Sequence, residues 1–332
     1  MRKHRGVWLA IPLFVLFAVA IVQFALSSLR IQALMKPLRP ETAGQTEQLH
    51  RVVLVAQELD NPYWRSIGDS AIAAGSEQGL QVDYVGPLRI NPDEQLTLLE
   101  RAIASKADAI LVQGTGMARS VSLLKQAKEA GIPVLTLDAD EPNGDRAAYI
   151  GTDNAKAGQQ MGRWVAERSG DRAVIGVIIG TRASDSQKQR LEGLRSVVAT
   201  HPGMRILEVL TSDISRLKAG NETRLLLTEH PDVTDIVGLS SLDALGAMDA
   251  AEQLGRTDLR LYAFDDLPET QAAIAAGKLQ LTLVQQPDEI GRVAIEQVSR
   301  LLQGDSVKGT SFTPVEVLTK EDLSAGKGAL AP

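Results

Sequence analysis

The sequence predicts an α/β fold: two doubly wound parallel-sheet lobes facing each other, preceded by one transmembrane helix. Three observations predict it. Short continuous apolar runs, such as Val52 to Ala56, alternate with helical patterns through two successive half-chains. Strands buried on both faces and joined by helices are the mark of a parallel sheet. Helices open repeatedly on an N-cap with proline behind it, as at Asn61-Pro62 and Asn91-Pro92. Finally, Val7 to Leu29 is almost uninterrupted apolar and follows Arg-Lys-His-Arg at 2–5.

Composition narrows the function classes. The chain has 332 residues, 44% hydrophobic and 23% charged, enough for two lobes of ordinary size. A net charge of −6 with no basic block beyond the N-terminus argues against nucleic acid as a partner. With no cysteine there are no disulfides, thiolate metal sites or cysteine nucleophile. His4, His50, His201 and His230 are scattered, without metal-ligand spacing, so neither a metal nor a cofactor is expected.

A run of about 20 apolar residues spans a bilayer, and basic residues ahead of it keep the N-terminus cytoplasmic. Residues 1–30 are therefore expected to be a single-pass anchor in the cell membrane, with the bulk of the chain extracytoplasmic. A cleaved signal peptide is the alternative, but its small-residue triplet, Ala18-Val19-Ala20, lies inside the apolar run. Residues 31–50, with Pro37 and Pro40 among polar residues, read as a tether.

The elements of the first lobe follow in order. After strand 52–56, a helix over 63–79 carries Trp64, Ile67, Ala71 and Ala74 on one face and stops at Gly79. Next come strand 80–85, a helix from Pro92 to about Ser105, strand 109–112 and a helix over 117–130. Strand 134–137 ends at Asp138, and a short strand follows at Tyr149-Ile150. The Gln113-Gly114-Thr115-Gly116 turn could cradle a phosphate. One Gly-x-Gly is weak support for that, and a plain tight turn is the simpler reading.

The second half repeats the alternation. Helix 154–169 leads to strand 173–179, helix 185–200, strand 205–210 and helix 216–229. Strand 235–238, helix 242–254 and strand 259–264 follow, the last ending at Asp265. A short helix through Ala275, strand 279–284 and helix 287–302 close the series.

Ligands of open parallel sheets bind beyond the carboxyl ends of the strands. The strand-to-helix turns supply Gln57, Asn61, Tyr63, Trp64, Asp138, Lys188, Ser240, Asp265 and Gln285 as candidate ligand-binding residues. Carboxylates and amides pair with sugar hydroxyls, and aromatic rings pack on the C–H face of the ring. The same groups have bland readings: Asp138 as a turn residue, Tyr63 and Trp64 as core. An enzyme reading makes Asp138 and Asp265 a glycosidase pair. No nucleophile elbow or metal motif supports it, so no catalysis is expected.

In their order and spacing, six segments resemble the type I periplasmic sugar-binding proteins, of the ribose-binding kind. They are Asn61-Pro62-Tyr63-Trp64, Val134 to Asp138, Ile150 to Asn154, Asp243 to Ala247, Ala263-Phe264-Asp265 and Gln285 to Gly291. The resemblance covers about residues 50–320. It implies a three-strand hinge, a first lobe of 51–152 plus 286–312, a second of 153–285 plus 313–325, and a tail at 326–332. It also implies that Asn61 bonds ligand hydroxyls and that Tyr63 and Trp64 stack on the ring. Asp138, Asp265 and Gln285 would take hydroxyls from the two lobes and the hinge.

The pattern departs at four places. An arginine after the first-lobe aspartate is Ala139 here. A second arginine is matched by Lys188, a third aromatic by Ile214 and an asparagine by Ser240. Lysine is a point charge where arginine is a fork, so Lys188 would admit an acidic ligand. The resemblance implies an extracytoplasmic solute-binding protein for a sugar or sugar-like molecule, its closed form read by an ABC transporter permease. The alternative partner is a membrane sensor histidine kinase. A repressor-like effector domain would need a DNA-binding head where the apolar span stands.

Overall fold

The alternation of β1 (His50–Val55) sets up two layers at once. Val52 and Leu54 face one side, Val53 and Val55 the other, and all four are buried. The computed structural model describes residues 49–182 and 184–326, together with Ile21 and Gln23. Nearly all of the expected anchor and of the tether, and residues 327–332, lie outside the described residues. Among the described residues no helix is long and apolar enough to cross a membrane.

In the first lobe, β1 lies between β2 (Leu80–Val85) and β3 (Ala109–Val112). Beyond β3 come β4 (Val134–Leu137), β5 (Ala148–Thr152) and β11 (Thr310–Thr313). The sheet runs β11-β5-β4-β3-β1-β2, and every pairing is parallel. One face packs against α1 (Pro62–Glu77) and α9 (Pro287–Leu302), the other against α2 (Pro92–Ala104) and α3 (Ala118–Glu129). Because α9 comes from the C-terminal end of the chain, the first lobe is assembled from two separate segments. A Cβ at Gly291 would run into the carbonyl oxygen of Ile67, so glycine there lets α9 lie directly on α1.

The second sheet repeats the first. It runs β12-β10-β9-β8-β6-β7, built from β6 (Ala173–Ile179), β7 (Met204–Thr211), β8 (Asp235–Gly238), β9 (Arg260–Phe264), β10 (Leu281–Val284) and β12 (Glu316–Thr319). Its two cores lie against α4 (Asn154–Ser169) and α5 (Asp185–Val198) on one face. On the other are α6 (Arg216–Glu229), α7 (Asp243–Gln253) and α8 (Pro268–Ala275). Its one departure from a parallel sheet is β12, antiparallel to β10. The β12 strand and the short α10 (Lys320–Ser324) that follows carry too few residues to announce themselves by periodicity.

The chain passes between the sheets three times: from β5 to α4, from β10 to α9, and from β11 to β12. Helix starts follow local chemistry. The Asn61 side chain accepts from the N–H groups of Tyr63 and Trp64, and that of Asn91 from Glu94, each with proline at the first helical position.

Candidate functional site

Both sheets share one strand order, β2-β1-β3-β4-β5 in the first lobe and β7-β6-β8-β9-β10 in the second. In such a sheet a crevice opens at the carboxyl ends of the strands, where the order reverses. The crevices of the two lobes form one cleft. Of the nine residues singled out in the sequence, eight line it: Gln57, Asn61, Tyr63, Trp64, Asp138, Ser240, Asp265 and Gln285.

Asp138 follows β4 directly. The Tyr63 hydroxyl donates to its Oδ1 at 3.0 Å and Gln113 Nε2 to its Oδ2 at 2.7 Å. Asp265 follows β9 directly, and Gln285 Nε2 donates to its Oδ1 at 2.8 Å. Burial in the cleft pushes both carboxyls above the usual carboxylate range. The nearby Arg190 guanidinium and these hydrogen bonds pull them back, and Asp138 adds a smaller upward push on Asp265.

Arg190 ties the hinge to the site. It is 4% exposed, and its guanidinium lies 4.2 Å from the centre of the Phe264 ring. Nε donates to Asn154 Oδ1 at 2.8 Å, Nη1 to the Leu239 carbonyl at 2.9 Å and Nη2 to Gln285 Oε1 at 2.8 Å. The same Gln285 oxygen accepts from Thr152 Oγ1 at 2.8 Å. Asn154 donates to the Thr152 carbonyl at 3.1 Å. Tyr149 Oη donates to the Asp138 carbonyl at 2.8 Å. A buried polar network thus runs from one crossing to the next, and both aspartates are anchored beside it.

Lys188 is the exception among the nine, and the structure corrects its expected role. It points away from the cleft, is 53% exposed and pairs with Asp185 at 3.2 Å. The helix period is the reason. α5 buries Ser186, Gln187, Arg190, Leu191 and Leu194, and a residue two positions from Arg190 lies about 200° around the helix. The cleft's basic residue is Arg190, which that buried face could have revealed. Helix α5 sits close on α4 because Gly158 lets the Arg190 carbonyl approach; a Cβ there would collide with it.

The simpler reading of the 113–116 turn stands, and one further expectation changes. The 113–116 turn has no amides to spare for a phosphate: Glu141, 3% exposed, accepts the Thr115 N–H at 3.3 Å and the Gly116 N–H at 3.0 Å. Gln113 instead supports Asp138, a role hidden by reading the segment as a turn. Trp64 is 2% exposed and belongs to the core of the first lobe, so it backs the cleft while Tyr63 meets it. Across from them Ile214 lines the second lobe's wall. Ser240 is buried there. Asn61 spends its Oδ1 on the α1 cap, leaving Nδ2, with one 3.4 Å contact to Glu58, for the cleft.

Comparison with known proteins gives consistent matches. A family model described as a periplasmic binding protein domain matches residues 52–306. The chain is 28% identical over 270 residues to the ribose import binding protein RbsB of Escherichia coli (strain K12), covering 81% of this chain and 90% of that one. The crystal structure of GanP, a glucose-galactose binding protein from Geobacillus stearothermophilus, superposes with a TM-score of 0.82 at 36% identity. It covers 83% of this chain and 99% of GanP. A chain of the XylFII-LytSN complex matches with a TM-score of 0.76 at 29% identity, covering 82% and 99% of the two chains.

Proposed function

We propose that this chain, which belongs to the periplasmic binding protein family and to its type I, ribose-binding-like sugar-binding kind, is the extracytoplasmic receptor for a neutral sugar and hands its closed form to an ABC importer permease. The family is non-enzymatic, and no reaction is assigned to Asp138 and Asp265.

One observation carries the reading. Two aspartates, one from each lobe, face a common cleft with hydrogen-bond partners that are all neutral: Tyr63, Gln113 and Gln285. A carboxylate has acceptor sites beyond these bonds, and the paired hydroxyls of a sugar are neutral donors that fit them. A carboxylated or phosphorylated sugar would add an anion to a site with two acids and one guanidinium, and that guanidinium is already bonded to Asn154, Leu239 and Gln285. Lys188 and the turn amides, which would have welcomed an anion, are committed elsewhere. The names of the relatives support the sugar class: ribose for RbsB, glucose and galactose for GanP.

The test is calorimetry of the full-length protein in detergent with D-ribose, D-xylose, D-glucose, D-galactose, D-galacturonate and D-ribose 5-phosphate. Binding of at least one neutral sugar, with the acidic ones at least tenfold weaker, is expected. Tighter binding of an acidic sugar would overturn the neutral class, and no binding of any would overturn the sugar reading.

In this reading residues 1–30 hold the protein in the cell membrane, with the N-terminus cytoplasmic and the lobes outside. The apolar run at 7–29 and the basic residues before it support that. A full-length species in salt-washed membranes is the expected result; a shortened soluble species would mean cleavage. The second reading is a ligand-sensing subunit that regulates a membrane histidine kinase. Its support is that XylFII, 29% identical, assembles with a protein, LytSN. Sugar-stimulated ATP hydrolysis by a reconstituted permease favours uptake. Sugar-dependent kinase autophosphorylation without it favours sensing.

A further inference from the structure

The two aspartates of the cleft are not equally short of donors. Asp138 is engaged on both oxygens before any ligand arrives, by the Tyr63 hydroxyl at 3.0 Å and by Gln113 Nε2 at 2.7 Å. Asp265 is engaged on Oδ1 alone, by Gln285 Nε2 at 2.8 Å. Among the described residues none donates to its Oδ2.

The Tyr63 donor is held in place, so it does not simply yield to a ligand. Its residue opens α1, where Asn61 Oδ1 accepts the Tyr63 N–H at 3.0 Å. Its ring meets the buried Trp64 ring edge-on, with centroids 6.2 Å apart and planes at 86°. The hydroxyl is therefore aimed at Asp138 by the fold.

From this asymmetry we infer that Tyr63 is a specificity-determining residue: its hydroxyl stands in for a ligand hydroxyl at Asp138 Oδ1. The inference rests on the sugar-binding reading above. A ligand lacking the hydroxyl that faces Oδ1 leaves that oxygen still bonded to Tyr63, so the loss is small. A ligand lacking the hydroxyl that faces Asp265 Oδ2 leaves a buried anionic oxygen bare, and that loss is large, as for any site built to pair a ligand hydroxyl. The cleft is thus lenient at one ring position and strict at another, and accepts sugars that differ only at the lenient one.

The experiment compares the full-length wild-type protein with Tyr63→Phe by calorimetry. The parent ligands are D-ribose, D-xylose, D-glucose and D-galactose, and each parent that binds is followed by its monodeoxy analogues. In the wild type, one deoxygenation is expected to weaken binding less than about threefold. In Tyr63→Phe the penalty at that same position is expected to rise to about tenfold, the size of an unpaired charged acceptor, with the other positions unchanged. Phenylalanine keeps the ring packing, and a melting curve of the variant verifies the fold. Equal scaling of all affinities, or unchanged penalties, would overturn the role of Tyr63 while leaving sugar binding intact. Failure of the wild type to bind every parent sugar would instead overturn the sugar reading, and this inference with it.

Discussion

Asp138 and Asp265 occupy the same place in two copies of one architecture. Each is the first residue after a strand, β4 or β9, and each has a left-handed backbone, with φ of 61° and 64°. Each donates its N–H across to the next strand, at 3.1 Å to the Ile150 carbonyl and at 2.8 Å to that of Leu283. Each takes a carboxamide bond from the residue just after a neighbouring strand, Gln113 after β3 and Gln285 after β10. Aspartate and asparagine tolerate this backbone better than other non-glycine residues. Strained positions of this kind gather at functional sites.

That backbone dictates the informative substitution. Alanine would add strain to the loss of the carboxylate, whereas asparagine keeps the left-handed turn, removes the charge and turns one acceptor oxygen into a donor. Asp138→Asn and Asp265→Asn should each weaken sugar binding at least tenfold, with melting temperatures within about 2 °C of wild type. Calorimetry and thermal melts read both quantities. Normal affinity in both variants would mean that the ligand sits elsewhere.

Binding should also depend on pH. Burial raises both carboxyls above their ordinary range, and ligand hydroxyls donate to the ionised form. Binding therefore releases protons wherever the free carboxyls are still protonated, and affinity falls as pH drops through their raised pKa values. The fall should begin above the ordinary carboxylate range and flatten in Asp265→Asn. An affinity that stays constant as pH drops from neutral into the ordinary carboxylate range would contradict the assignment of these two residues.

Arg190 and Lys188 separate a hinge role from a surface one. Arg190→Lys keeps a charge but cannot reach Asn154, Leu239 and Gln285 together, because an ammonium has no planar fork. It leaves buried acceptors unpaired, so both affinity and melting temperature should fall, affinity by tenfold or more. Lys188→Ala removes a half-exposed residue and one surface ion pair and should change neither. If Lys188→Ala weakened binding instead, the helix phase assigned to α5 would be wrong.

The contrast between these two residues explains what the sequence could reveal. Strand ends and helix starts were legible because they rest on local chemistry: Asn61 with Pro62, and apolar runs ending at Asp138 and Asp265. Arg190 was missed because α5 begins in a polar segment, where a two-residue error of phase turns the face away and matching by residue type favours the wrong cation. Gln113 and Glu141 were missed for another reason. They work across 25 residues or more, linking the turn after β3 to the loop after β4, and no local pattern records such a pairing. Trp64 was ambiguous at the sequence level, and its burial makes it a poor probe. Trp64→Ala would cost about 3–5 kcal/mol of core packing before it reported on any ligand.

Asp243 offers a test of stability rather than binding. At the start of α7 it is fully buried, accepting Ser212 Oγ on Oδ1 at 2.6 Å and the Ser240 N–H on Oδ2 at 2.8 Å. Burial outweighs these bonds and raises its carboxyl to about 6. A carboxyl raised on folding holds its proton longer in the folded chain than in the unfolded one. Its stabilising contribution is therefore complete below the unfolded value of 3.8 and lost as pH rises through about 6. At about 1.4 kcal/mol per pH unit, that loss is about 3 kcal/mol. Asp243→Asn can still accept the Ser240 N–H and can donate to Ser212 Oγ, without a titrating proton. The difference in stability between variant and wild type should therefore grow in the variant's favour from pH 4 to pH 7, read from paired denaturant melts. Parallel pH profiles for the two proteins would show that Asp243 is ionised at an ordinary pKa, and that its two hydrogen bonds outweigh its burial.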